Sequence, residues 1–287
     1  MLLQVLANGL VLGGLYACIA AGFSLVWGVL NVINLLHGSF IVLGSYFAFF
    51  AYQQWGIHPF LAVFLAVPVF FLLGAATQAT LLNRVIAAPV LLTLTLTFGL
   101  DLMLNNGMLL AFSADYRKIL LEPPLGLVRF AGMVLPIDRL VAMALALLLT
   151  AGLYVVLTRS RMGRAIVAVR MDRDAATLMG VEVARTYAMT FGLGAAMAGA
   201  AGALLGTIFP ISPLVSGSYL GKAFIVCVLG GLGSVPGAVV GGLALGVIES
   251  FGALWAGSEH ATTISFVLLI VVLLVKPTGL MGRRGYE

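Results

Sequence analysis

The chain has 287 residues, 62% of them hydrophobic and 9% charged, with a formal net charge of +5. Ordinary soluble domains are roughly 45–50% apolar and about 25% charged, so this composition excludes a water-soluble globule and predicts an all-α membrane protein, a polytopic bundle of transmembrane helices. The positive charge does not point to nucleic acid, because the basic residues sit in gaps between apolar stretches and form no single patch.

No Asp, Glu, Lys or Arg precedes Arg84, so at least three spans fit before it. The N-terminus has neither a basic leader nor an obvious small-residue cleavage site, and its first apolar stretch is expected to be a retained helix. Apolar windows of about 20 residues, enough to cross ~30 Å of hydrocarbon, lie at 5–29, 34–52, 60–82, 90–111, 137–158 and 188–208. The stretch 219–255 is interrupted by Gly230, Gly231, Gly233, Pro236 and Gly237 and reads as two shorter spans, followed by a last one at 261–275. Eight or nine crossings are expected, with broken helices near 31–39 and 230–237, in one domain over 1–287.

The basic connection 159–185 carries Arg159, Arg161, Arg164, Arg170, Arg173 and Arg185, which places it in the cytoplasm. Counting crossings from it puts Arg84 and the C-terminal Lys276, Arg283 and Arg284 inside, and the N-terminus and the 112–136 loop outside. Small residues in fourfold rows, Gly194, Ala198, Gly202 and Gly206, with Ala238, Gly242 and Gly246 further on, are suited to close helix packing in lipid, within one bundle or between subunits.

Three constellations stand out. In 159–185, Asp172 is placed to cap a helix of about two turns, Asp174 suits its first turn and Gly180 its end. Its apolar Leu178 and Met179 are either a partner surface or part of a membrane-hugging loop. The polar run Asn31 to Ser39, with Asn34 and His37, sits between uncharged spans and is either a broken helix lining a pathway or a short turn in which Asn34 caps the next helix. Asp101 and Glu249 are ionisable residues inside apolar spans, where a charge costs about 2.5–3.5 kcal/mol on insertion scales. Each is therefore a functional candidate or a structural hydrogen-bonding group, with Asn105, Asn106 or Thr97 as expected partners.

Absent motifs narrow the function. Gly217 to Ala223 has one residue too few between its glycines for a P-loop and lacks the Ser or Thr that binds Mg²⁺, and the glycines of 229–237 belong to no βαβ unit. Two distant cysteines, Cys18 and Cys227, support neither a metal site nor a disulfide framework. No catalytic residue, metal site or cofactor of its own is expected.

Four blocks, Gly22 to Gly28 with Val32 to Gly38, Ser160 to Arg164 with Asp172 to Gly180, Lys222 to Phe224 with Leu229 to Gly242, and Lys276 to Gly279, resemble the LivH-type permease subunits of bacterial ABC importers for branched-chain amino acids. The resemblance runs almost end to end. It implies an inner-membrane permease domain that pairs with a LivM-type chain or a second copy, binds two cytoplasmic ATPase subunits that carry the ATP and Mg²⁺, and receives its small-molecule substrate from a periplasmic binding protein. It makes 159–185 the coupling element, with Arg161, Gly163, Arg164, Asp172, Asp174, Ala175, Leu178 and Gly180 as its contact residues, and Asn31, Asn34, His37, Ser39 and Asp101 as residues of the translocation path. Ala88-Pro89 stands where the family often has Arg-Pro, Met171 where it often has Gln or Glu, and Asp101 where it usually has a small or neutral residue. The resemblance implies a branched-chain or other small hydrophobic amino acid as substrate; relatives of this type also move urea, short amides and small carboxylates, which stand as the alternative, as does an ion-coupled secondary transporter.

Overall fold

The computed structural model describes residues 1–86, 88–122, 125–130, 132–257, 260–276 and 278–281. The described chain is helical almost throughout: α1 (Leu2–Leu30), α2 (Leu36–Trp55), α3 (Pro59–Thr80), α4 (Val90–Phe112), α5 (Ile137–Arg159), α6 (Arg161–Met171), α7 (Arg173–Leu178), α8 (Val183–Ile208), α9 (Ser216–Gly230), α10 (Val235–Ala256) and α11 (Ala261–Val275). Two short strands, β1 (Leu127–Phe130) and β2 (Met133–Pro136), form an antiparallel hairpin between α4 and α5.

Among the described residues, seven segments are long and apolar enough to cross a membrane: α1, α3 with its trailing turn, α4, α5, α8, α9 with the turn before it, and α10. This is a multi-pass membrane protein. The two further crossings expected from sequence correspond to α2, which is 20 residues long but more polar, and to α11, whose 15 residues span only about 22 Å at 1.5 Å per residue. The tail arginines Arg283 and Arg284 lie outside the described residues.

Three helices form the centre. In α8, 20 of 26 residues are buried, in α1, 18 of 29, and in α2, 12 of 20, whereas α4 buries only Thr93, Thr97 and Met108. Close approach explains the small-residue rows. A Cβ on Gly202 would run into the Ile41 carbonyl oxygen of α2, one on Gly194 into Val26 of α1, and those on Gly242 and Gly246 into the backbone around Gly13 of α1. The rows thus pack α8 and α10 onto α1 and α2 within this chain, where van der Waals contact, not water exclusion, must hold helices together.

The connection from α1 to α2 is no surface turn. Helix α1 ends at Asn31, whose φ of 52° is a left-handed conformation that Asn tolerates better than most residues. Residues 31–35 are non-helical, and α2 then begins deep in the bundle, with His37 Nε2 3.0 Å from the Ile19 carbonyl. Ile19 lies eleven residues before the end of α1, about 16 Å along its axis, which is close to the most that five extended residues can span. The chain therefore climbs back into the bundle before α2 starts. The sequence places the break at 31–39, but His37 and Ser39 already lie within α2. Nor does the Asn34 side chain cap α2: the N-cap is Leu35 without a side-chain bond, and only the Asn34 carbonyl contributes, accepting from the His37 amide at 3.3 Å.

The glycine-rich break is also found, as Gly231 to Ser234 between α9 and α10, with Ser234 Oγ accepting from the Gly237 amide. It lies at one end of the bundle, where a Cβ on Gly28 of α1 would strike Gly233. The central partner of the 31–35 segment is a different interruption, residues 209–215, after which α9 begins at Ser216. Pro210 and Pro213 in that stretch are its sequence signal, since neither can extend the helix that precedes it.

The two ends of the bundle gather different segments. One end gathers the 231–234 turn, the end of α1, α6 with α7, and Gly279 to Met281, whose Leu280 and Met281 amides donate to the Leu229 and Gly230 carbonyls at 2.7 and 3.1 Å. At the other end, the Gln4 side chain pairs with both backbone groups of Val134, at 2.9 and 2.8 Å, and Arg117 bridges to Ile211.

Candidate functional site

Two helices that begin inside the bundle meet at one place. A Cβ on Gly38, in the first turn of α2, would strike the carbonyl oxygen of Ser216, the first residue of α9. Helix N-termini expose amides with no intrahelical partner and carry the positive end of the helix dipole. Opposite them runs α4, whose midpoint is Asp101.

The polar side chains of this junction pair across helices. Ser39 Oγ donates to Asp101 Oδ1 at 2.5 Å, and Asn105 Nδ2, one turn further along α4, donates to Ser216 Oγ at 2.9 Å. One turn before Asp101, Thr97 Oγ1 donates to the Ile33 carbonyl at 2.9 Å, satisfying a backbone group of the extended segment. That bond supplies what non-helical backbone at membrane depth requires, a protein partner in place of water. Asn34 is 1% exposed, and among the described residues neither its side-chain nitrogen nor its side-chain oxygen has a hydrogen-bond partner; Asn105 Oδ1 is likewise buried without one.

Of the five path residues expected from sequence, the structure brings Ser39 and Asp101 into direct contact. Asn34 is buried, Asn31 is exposed at the end of α1, and His37 is fully buried with its ring edge-on to Phe23 at 5.5 Å. Since a carbonyl only accepts, His37 Nε2 carries the hydrogen in its bond to Ile19. Sequence reasoning missed Ser216 and assigned Asp101 the wrong partners. Asn105 instead reaches α9, and Asn106 bonds back to the Leu102 carbonyl of its own helix.

Glu249 has a partner that the sequence reading passed over. Lys222 Nζ of α9 lies 2.6 Å from Glu249 Oε1 of α10 and 2.7 Å from the Tyr16 hydroxyl of α1, with its ammonium 4.9 Å from the Tyr16 ring centre. Both side chains are largely buried, and Glu249 Oε2 has no hydrogen-bond partner among the described residues. The available signal was charge: two ionisable groups of opposite sign in neighbouring apolar spans.

The 159–185 connection folds into two helices where one was expected. Ser160 caps α6, accepting from the Gly163 amide at 2.8 Å, while the Arg164 amide donates to the Ser160 carbonyl; Arg161 is exposed. Gly163 fits because its α-carbon lies against the last carbonyls of α5. Asp172 caps α7 as the spacing predicts, its Oδ1 accepting from the Asp174 and Ala175 amides at 2.9 Å each, and Gly180 ends it with φ of 81°. Leu178 and Met179 are 88% and 84% exposed, an apolar tip held out from the bundle.

Comparison with known proteins agrees with this architecture. The model of a family described as branched-chain amino acid transport system / permease component matches residues 5–275. The chain is 35% identical to the high-affinity branched-chain amino acid transport system permease protein BraD of Pseudomonas aeruginosa, over 99% of this chain and 97% of that protein. It is 36% identical to the corresponding LivH proteins of Salmonella typhimurium and Escherichia coli, with the same coverage. No solved structure matches it.

Proposed function

The chain belongs to the family of branched-chain amino acid transport system permease components, and from that premise we propose that it is the membrane-spanning subunit of an ATP-driven importer of branched-chain amino acids. The observation that carries the reading is the central junction, where two helix N-termini and Asp101 face one another at the middle of α4. A leucine zwitterion brings a carboxylate and an ammonium into a low-dielectric bundle, and each needs a partner there. The positive dipole ends at the starts of α2 and α9 suit the carboxylate, and the Asp101 carboxylate suits the ammonium. Ser39, Asn105 and Ser216 hold these groups in place, the buried Asn34 offers a side-chain amide with no partner among the described residues, and Asn31 stands at the mouth. His37 fixes the depth at which α2 begins.

The chain's motor lies on other subunits. Leu178 and Met179 at the tip of α7 form the contact for a cytoplasmic ATPase, with Arg161, Arg164, Asp174 and Ala175 around it; the opposite end receives a periplasmic binding protein, and a second permease chain completes the path. The membrane is the bacterial inner membrane, with α6, α7 and the C-terminus in the cytoplasm.

Asp101→Asn in the full assembly tests the site. Leucine uptake into ATP-loaded proteoliposomes should fall at least tenfold while the stimulation of ATP hydrolysis by liganded binding protein persists, because docking at α7 is untouched. Wild-type uptake by this variant refutes the path assignment. Uptake of labelled urea or acetamide in place of leucine reassigns the substrate, and uptake abolished by an ionophore but insensitive to ATP depletion replaces the motor with an ion gradient.

A further inference from the structure

The turn between α9 and α10 is fastened from two sides. The guanidinium of Arg170, on the last turn of α6, donates from Nη1 to the Gly233 carbonyl at 2.8 Å. From the other side, the Leu280 and Met281 amides occupy the Leu229 and Gly230 carbonyls, the last acceptors of α9. Gly233 has φ of +75°, and a Cβ there would lie 2.8 Å from Arg170 Nη2 and 3.1 Å from the α-carbon of Gly28. The turn is thus shaped to receive the guanidinium and has no room for a side chain at Gly233.

What the turn joins gives this contact its meaning. Only Asp172 separates α6 from α7: its amide ends α6 by donating to the Ala168 carbonyl, and its side chain starts α7. Helix α6 is seated on the bundle by Gly163, Ile166 and Val169, so α7 and Arg170 move with one short rigid body. Beyond the turn, α9 is an unbroken rod of 15 residues, about 22 Å long. Its far end is Ser216, bonded to Asn105 and seated against Gly38. One line of elements therefore connects the exposed tip of α7 to the central junction, and Arg170 joins α6 to the turn that starts it.

We propose that Arg170 is a positioning residue that fastens the α7 coupling element to α9, so that displacement of α7 is carried through the Gly233 turn to Ser216 and the central polar cluster. The proposal rests on the reading of α7 as the ATPase contact. Arginine suits the joint because its planar fork holds two directions at once, which a single ammonium does not.

The test uses the whole assembly, purified from its native membranes with its accompanying subunits and reconstituted with leucine as the probe. Arg170→Met should retain subunit composition and basal ATP hydrolysis while lowering both leucine uptake and the hydrolysis stimulated by the leucine-loaded binding protein at least tenfold. Arg170→Lys, which restores a donor, should recover a measurable part of both. Wild-type stimulation in Arg170→Met overturns the proposal, and so does a joint loss of assembly and basal hydrolysis that Arg170→Lys fails to rescue, since that pattern belongs to a purely structural residue. If the wild-type assembly contains no ATPase, the α7 reading fails first, a result distinct from either.

Discussion

The Lys222–Glu249 pair offers a quantitative test of how this bundle holds charge. At 2.6 Å the pair attracts with roughly 6 kcal/mol at an effective dielectric of about 20, while withdrawing each ion from water costs several kcal/mol. The two contributions nearly cancel, so the pair as a whole adds little over apolar side chains of the same volume. Removing one partner is different. Among the described residues, Lys222→Met leaves the Glu249 carboxylate with one oxygen already unpartnered and the other stripped of its ammonium, and Glu249→Leu leaves the ammonium the Tyr16 hydroxyl alone. Each single variant should lose about 3–5 kcal/mol, the range for breaking a buried pair, and Lys222→Met with Glu249→Leu together should return to within about 1 kcal/mol of wild type. Unfolding by SDS in mixed micelles, followed by the fluorescence of Trp27, Trp55 and Trp255, measures all three. A double variant that loses the sum of the two singles would refute the reasoning, because it would show that each residue stabilises the fold through contacts other than its partner.

Two further outcomes follow from local geometry. Asp172→Ala removes the acceptor of two α7 amides, at a cost of about 1 kcal/mol; hydrogen exchange at Asp174 and Ala175 should accelerate roughly fivefold, and Asp172→Asn, which keeps an acceptor, should not show it. Gly202→Val drives a side chain against the Ile41 carbonyl of α2 and should prevent recovery of monodisperse protein, whereas Gly152→Ala on α5, where a Cβ meets nothing within 4 Å, should be neutral or stabilising by up to about 1 kcal/mol; size-exclusion chromatography in detergent separates the two.

The sequence by itself determined the solvent, the fold class and much of the local punctuation. Long uncharged runs are legible because hydrocarbon penalises every ionised side chain. Asp172 and Gly180 could be placed because capping depends on residues only a few positions apart. The rows of small residues announced tight packing, though only the fold shows that they serve α1 and α2 of the same chain. Tertiary structure decided where the polar groups meet. Ser39 and Asp101 are 62 residues apart, Asn105 and Ser216 are 111 apart, and Arg170 and Gly233 are 63 apart. No period or spacing encodes such pairs, since each exists only after helices have chosen neighbours. The depth at which α2 begins was hidden for the same reason: a polar run between two spans reads alike whether it turns at the surface or climbs back inside, and only the bonds from His37 to Ile19 and from Thr97 to Ile33 distinguish the two.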